Sequence, residues 1–341
     1  MQSISKCFTF GNFKEALKIL SSGKNIKSFS SSKEMNSQTY LKYILTKAHC
    51  NAKKFLSVEL YSSGVDTQIN LNEVADLKAA FCNFTWSDRG DFSDLDSLSS
   101  IKLAKKIVEN GQIGVMHLGC RNYSRDDAKI IIDKIKKIGI KNILALKGGS
   151  TLYPDDSTRD FPYALSFVKF LRSEYGDDFN IGVSGYPIGH PASPDPVKDI
   201  PYLKEKVDAG ANFVFCQAVF DVETFKIFYK RCRDIGIDVP IIPGVYALDD
   251  NNVLSGGVKG FCKIIPEEYT KFFEENKDNK EALGDFSVKY ISKLIKGLLN
   301  EKDINIPGVH VFCFNNFSLV KRIYESLDYD ELNILKVKNV L

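Results

Sequence analysis

The chain is poor in several residue types that would narrow its function at once. It has one Trp, three Met and eight Arg against 38 Lys. Its eight cysteines, at 7, 50, 82, 120, 216, 232, 262 and 313, form no CxxC pair. That scatter argues against a zinc ribbon or a disulfide framework. Cys82, Cys120, Cys216 and Cys313 lie in or just after apolar runs, where a thiol serves as a small buried hydrophobe in a reducing compartment. The four histidines are equally dispersed, and no metal site is expected. No apolar run approaches membrane-spanning length. A net charge of +3 gives no global electrostatic case for nucleic acid. No GxGxxG follows the first strand-like run, and Lys147-Gly148-Gly149-Ser150 lacks the spacing of a P-loop.

What is present is a globular chain of 341 residues, 44% hydrophobic and 26% charged, with ample material for a large core. Residues 1–33 stand apart, with six Lys, one Glu and eight Ser. FKEALKIL (13–20) suits a short amphipathic helix, followed by SFSSS at 28–32. Residues 1–50 are therefore read as a basic, Ser-rich arm or a targeting segment. A mitochondrial address is one expectation. An accessory arm on a cytoplasmic protein is the other, since the segment contains no Arg.

From residue 55 onward, short apolar runs alternate with longer helical patterns. The predicted strands are FLSVELY (55–61), AAFCNFTW (79–86), IGVMHL (113–118), NILALK (142–147), NIGVSGY (180–186), NFVFCQ (212–217), VPIIPGV (239–245) and GVHVFCF (308–314). Predicted helices between them include Ile101–Asn110, Arg125–Ile138, Tyr163–Tyr175, Val197–Ala209, Val222–Ile235 and Ser287–Leu299. The strands are apolar on both faces, as a parallel sheet covered by helices requires. Eight such units predict an α/β fold, a (β/α)8 TIM barrel over residues 51–330, with an N-terminal extension and a tail at 331–341. A doubly wound open sheet is the alternative.

A barrel of this kind places its chemistry at the carboxyl ends of its strands. Those ends read Glu59, Thr85, His117, Lys147, Tyr186, Gln217, Gly244 and Asn315. Seven of the eight carry polar side chains at the close of an apolar run, which predicts a polar cavity at one rim. Gln217 ends the buried Phe213-Val214-Phe215 run, and an amide there needs a partner, a ligand being one. Glu59, within SVEL, is expected to be desolvated and raised toward the range of a general acid. A structural ion pair with Lys147 is the competing reading.

These residues, in this order, resemble the catalytic domain of methylenetetrahydrofolate reductase, across roughly residues 55–328. The resemblance rests on SVEL with Glu59, Thr85-Trp86, His117-Leu118, NILALKGG (142–149), GYPIGHP (185–191), LKEKVDAGANFVFCQ (203–217), Phe220-Asp221, GIDVPIIPG (236–244) and GVHVF (308–312). It implies FAD-dependent reduction of 5,10-methylenetetrahydrofolate to 5-methyltetrahydrofolate, with NADH or NADPH as reductant. It further implies Glu59 as general acid and Gln217 as a folate-holding residue, with Tyr61 and Asn315 at the substrate side. Thr85, His117, Lys147, Gly148, Tyr163, Ala164, Tyr186, His190, Asp199 and Lys206 match positions that line FAD.

Departures from the family pattern gather on the substrate side. Lys147 stands where the family usually has Arg, which exchanges a bidentate phosphate clamp for a point charge. Gly149 replaces an aspartate near the flavin, Gly257 a bulky residue that packs on substrate, and Asn316 an arginine for the folate tail. Ser62-Ser63 replace a double proline, and Ala218-Val219 replace aromatics. With no residues after Leu341, adenosylmethionine control is expected to be missing. Two functions fit the sequence. One is an active reductase. The other is an impaired, reductase-like flavoprotein acting as an accessory subunit, as a homo-oligomer or within a larger mitochondrial assembly.

Overall fold

The computed structural model describes residues 53–62, 69–86, 94–121, 123–148, 160–190, 196–251, 253–258 and 265–335, with residues 41, 44, 45, 92 and 193. The helix expected at 13–20 and Gly149 lie outside the described residues.

Eight parallel strands close in sequence order, β1 pairing with both β2 and β8. They are β1 (Phe55–Leu60), β2 (Cys82–Phe84), β3 (Gly114–Gly119), β4 (Asn142–Leu146), β5 (Asn180–Gly185), β6 (Phe213–Cys216), β7 (Ile241–Tyr246) and β8 (Gly308–Phe312). The helices are α1 (Leu71–Asp76), α2 (Ser99–Glu109), α3 (Arg125–Ile138), α4 (Ala164–Tyr175), α5 (Asp199–Asp208), α6 (Val222–Asp234), α7 (Glu267–Glu275), α8 (Lys280–Asn300) and α9 (Phe317–Glu325). A π-helical stretch, Val253–Val258, follows β7. The (β/α)8 expectation holds, and each predicted strand overlaps an observed one.

Local chemistry accounts for the helix limits. Ser124 opens α3 with a capping box: its hydroxyl accepts from Asp127 N, and the Asp127 carboxylate accepts from Ser124 N at 3.0 Å. Gly139, at φ 106°, closes it in the left-handed conformation that other residues avoid. The helix predicted from Ser287 begins earlier, at Lys280, capped by Asn279. Gly284 weakens helix propensity there, but it lies against α9, where a Cβ would sit 3.1 Å from Arg322 Nη1.

Strand side chains alternate between two cores. Leu56, Val58 and Leu60 of β1 pack under the helices, with Met116, Leu118, Val214 and Val311. Phe55, Val115, Leu144, Phe213, Phe215 and Ile242 fill the lower barrel interior. Leu41, Ile44 and Leu45 join that interior cluster, so residues within the 1–50 segment plug the barrel floor. At the same end Ile334 bridges Lys54 in parallel, and Leu335 N donates to Lys54 O at 2.7 Å. The five described cysteines are free and buried.

Because Leu41 is fully buried in the floor, Leu41→Ala should lower unfolding stability by about 2–5 kcal/mol. Denaturant unfolding of the full chain measures this. A change below about 0.5 kcal/mol would mean that the floor is not part of the cooperative unit.

Candidate active site

The interior above the apolar floor is polar on one side. β1 contributes Ser57 and Glu59, β2 Asn83, β3 His117 and β8 His310, all buried. Glu59 lies in register with Asn83 on the neighbouring strand, so both point to the same face of the sheet. Glu59 and His117 come from alternate strands, the arrangement that builds one interior layer of a barrel. Their nearest atoms, Oε1 and Nδ1, are 3.7 Å apart.

Burial decides the charge state of that pair. Desolvation pushes the Glu59 carboxyl up to about 8 and the His117 imidazole down to about 4. Near neutral pH the acid therefore holds its proton and the imidazole is neutral. The contact is not an ion pair, and its length is beyond a hydrogen bond. The ion pair with Lys147 that competed in the sequence reading is not formed: Lys147 Nζ sits 4.8 Å above the Tyr163 ring.

Beneath Glu59, Ser57 Oγ and His310 Nδ1 are 2.9 Å apart. Both amide atoms of Asn83, and the Nε2 atoms of His117 and His310, are buried without a protein partner among the described residues. Such atoms are ordinarily met by internal water or a ligand. Their shared signal in the sequence is a polar residue interrupting an apolar strand at inward register.

The rim separates into three groups. Lys147 and Gly148 leave β4 toward Tyr163, the residue before α4. That helix has no side-chain cap among the described residues, a start suited to an outside acceptor. Gly119 and Gly148 approach closely: a Cβ on Gly119 would lie 3.3 Å from the Gly148 Cα. Across β5, the Tyr186 and His190 rings meet edge to face at 4.7 Å. His190 N donates to Asp199 Oδ2 at 2.5 Å. Lys206 Nζ donates to Ser184 O at 3.1 Å. Desolvation brings the Lys206 ammonium down to about 8, opposed by the Asp199 carboxylate. Over β6 and β7, Tyr246 OH donates to Gln217 Oε1 at 2.9 Å.

Two predicted contact residues are committed to holding the rim together. Thr85 Oγ1 accepts from Ser62 N at 2.8 Å and donates to Ser62 O at 3.2 Å. Asn315 Oδ1 accepts from Tyr61 N at 2.8 Å, and its Nδ2 donates to Tyr61 O at 2.7 Å. The segment after Glu59 is thus gripped from β2 and from β8. The Tyr61 ring remains partly exposed, 6.0 Å from Phe314. Asn316 caps α9 and donates to Asp249 Oδ2 at 2.7 Å. The predicted end of β7 also shifts. Gly244 lies inside the strand, where a Cβ would meet Cys216 O at 2.5 Å, and the rim residue is Tyr246.

The fold and this rim define a (β/α)8-barrel protein with a cluster of polar side chains at the carboxyl ends of its strands. The methylenetetrahydrofolate reductase family model matches residues 48–328, and the chain belongs to that family. It is 32% identical over 255 residues to a probable methylenetetrahydrofolate reductase (NADPH) of Caenorhabditis elegans, covering 73% of this chain and 38% of that protein. It is 34% identical over 249 residues to methylenetetrahydrofolate reductase (NADH) 1 of Arabidopsis thaliana, covering 69% of this chain and 41% of that one. The chain thus spans about two fifths of these relatives. A 5,10-methylenetetrahydrofolate reductase of Pectobacterium carotovorum is 29% identical over 258 residues, with 76% of this chain and 83% of that protein covered. Among solved structures, a Clostridium thermocellum protein described as binding two copies of 5-methyl-5,6,7,8-tetrahydrofolic acid shares the fold. Its TM-score is 0.59 at 14% identity, covering 83% of this chain and all of that one.

The charge states carry a pH signature. The folded-state value of Glu59 lies above the ordinary carboxyl value of 4.5, at about 8. Its contribution to stability is complete below 4.5 and is lost as pH rises through 8. His117 has the opposite sign, from an ordinary 6.5 to about 4; its contribution is complete above 6.5 and is lost as pH falls through 4. Glu59→Gln should therefore flatten the fall in thermal stability between pH 4.5 and 8, and leave the acid-side loss in place. Melting curves across that range measure it. Parallel wild-type and variant profiles would show that Glu59 ionises normally.

Proposed function

We propose that the chain is an FAD-dependent reductase that converts 5,10-methylenetetrahydrofolate to 5-methyltetrahydrofolate with NADH or NADPH. The observation that carries this reading is the buried Glu59 carboxyl, whose pKa desolvation raises to about 8. It is buried at the barrel mouth, at the same end as the Gln217 amide, in a chain of the matching family. An acid that keeps its proton near neutral pH can deliver it to a substrate nitrogen.

The described residues fit the flavin nucleotide. Lys147 and Lys206 supply two cations at one rim, and the uncapped start of α4 beside Tyr163 and Ala164 presents N–H donors suited to a phosphate. The Gly119–Gly148 approach keeps side-chain bulk away from the main chain between these groups. Tyr186 and His190 form an aromatic wall, with Asp199 fixing the His190 main chain. Bound FAD would carry hydride from the nicotinamide to the folate. The protein's own part is to hold both ligands against the rim and to move one proton. Glu59 would donate its proton to the folate's five-membered ring as that ring opens, leaving the iminium that accepts hydride. The Glu59 carboxylate so formed stands 3.7 Å from the His117 ring, which could take up a proton in response. Gln217 would hold the folate head.

Glu59→Gln should abolish the folate half-reaction while sparing flavin reduction by the nicotinamide. Anaerobic stopped-flow absorbance of the two half-reactions measures this, and equal loss of both would contradict the acid role. A specific observation supports a second reading, an accessory flavoprotein that binds cofactor without turnover. The Asn315 and Asn316 side chains, at the folate-tail side, are engaged in fold contacts. Flavin that bleaches with NADH or NADPH but is not reoxidised by methylenetetrahydrofolate would favour that reading. Its assembly would then be sought by co-purification, as a homo-oligomer or with mitochondrial partners, and its address by imaging the tagged full chain.

A further inference from the structure

Tyr246 is buried at the end of β7, and its ring is held by aromatic neighbours on several sides. It stacks on Phe312 at 4.9 Å and 27°, on Phe220 at 6.3 Å and 10°, and on Phe314 at 6.3 Å and 28°. A ring held this way cannot swing, so the position of its hydroxyl is fixed by packing. That hydroxyl donates to Gln217 Oε1 at 2.9 Å.

The Gln217 main chain is fixed independently. Its N–H donates to Gly185 O at 2.9 Å. The next residue, Ala218, is in the left-handed region at φ 56°, a strained conformation for a residue with a Cβ. Strain of this kind persists where the surroundings over-determine it. Here it turns the chain out of β6 immediately after the amide.

We propose that Tyr246 is a positioning and specificity-determining residue for the ligand that Gln217 holds. A primary amide presents an acceptor on one side and two donors on the other. With Oε1 engaged by the phenol, the amide nitrogen is the end offered to the cleft. The site then selects a ligand edge that accepts hydrogen bonds, such as a lactam carbonyl or a ring-nitrogen lone pair of a planar heterocycle. An edge that only donates meets an amide turned the wrong way. A free amide would rotate and accept either edge, so the phenol converts a permissive contact into a selective one. This inference rests on the proposal that Gln217 contacts the folate.

The test is a double-variant cycle on the FAD-loaded full chain, with 5-methyltetrahydrofolate as the titrant and calorimetry as the readout. Tyr246→Phe keeps the ring and its stacking and removes only the hydroxyl. It should weaken binding by about threefold to tenfold, the worth of one neutral hydrogen bond. In a Gln217→Ala background the same change should have no further effect, because the phenol acts through the amide. A purely structural role for Tyr246 would instead multiply the two losses. Unchanged affinity in Tyr246→Phe, or losses that multiply in the double variant, would overturn the proposal and leave the folate reading standing. A wild-type chain that shows no saturable binding would overturn the folate reading, and this proposal with it.

Discussion

The structure depends on closing eight parallel strands into a ring whose interior is too narrow for water in bulk. Each strand then sends every second side chain into the same confined space. Below, the strands fill it with Phe55, Leu144, Phe213, Phe215 and Ile242, and Leu41 closes the floor. Above, they fill it with Ser57, Glu59, Asn83, His117 and His310. The dryness produced by the first set makes the second set chemically unusual. A carboxyl in open water would ionise far below neutrality. Held above that floor, Glu59 keeps its proton to about pH 8.

The same constraint explains how the rim works. A polar residue at a strand end is not automatically a ligand contact, because closing the ring leaves seams that need partners of their own. Thr85 and Asn315 serve those seams, bonding the main chain at Ser62 and Tyr61. Lys147, Lys206, Gln217 and the start of α4 make no such bond to the main chain after β1, and in the proposed function they are the groups that meet the ligands. The resemblance grouped all of these as ligand contacts, whereas Thr85 and Asn315 are bonded to the main chain of the barrel itself.

Much of the architecture was legible because buried parallel strands write themselves as unbroken apolar runs. Helices α3 and α6 were legible in the helical spacing: predicted at Arg125–Ile138 and Val222–Ile235, they span Arg125–Ile138 and Val222–Asp234. The sequence was silent where the reason lies far along the chain. Gly284 reads as a helix weakener until Arg322 of α9 is seen against it. Ser57 and His310 are 253 residues apart and meet only across the β1–β8 closure. The rim position of β7 was read as Gly244, two residues short of Tyr246. The strand runs through that position, because the glycine admits Cys216 O and the Phe312 ring. That misplaced end hid Tyr246, whose partner Gln217 was the most conspicuous polar residue in the chain.

The two clasps on either side of β1 carry a mechanical implication. They seize the main chain two and three residues beyond the acid, at Tyr61 and Ser62, each through a paired set of hydrogen bonds, so the backbone that carries Glu59 is a fixed post and not a swinging arm. In the proposed reaction two ligands meet this rim in turn. The proton source would then keep its main-chain place through the exchange, and the accommodation would fall to the ligands themselves.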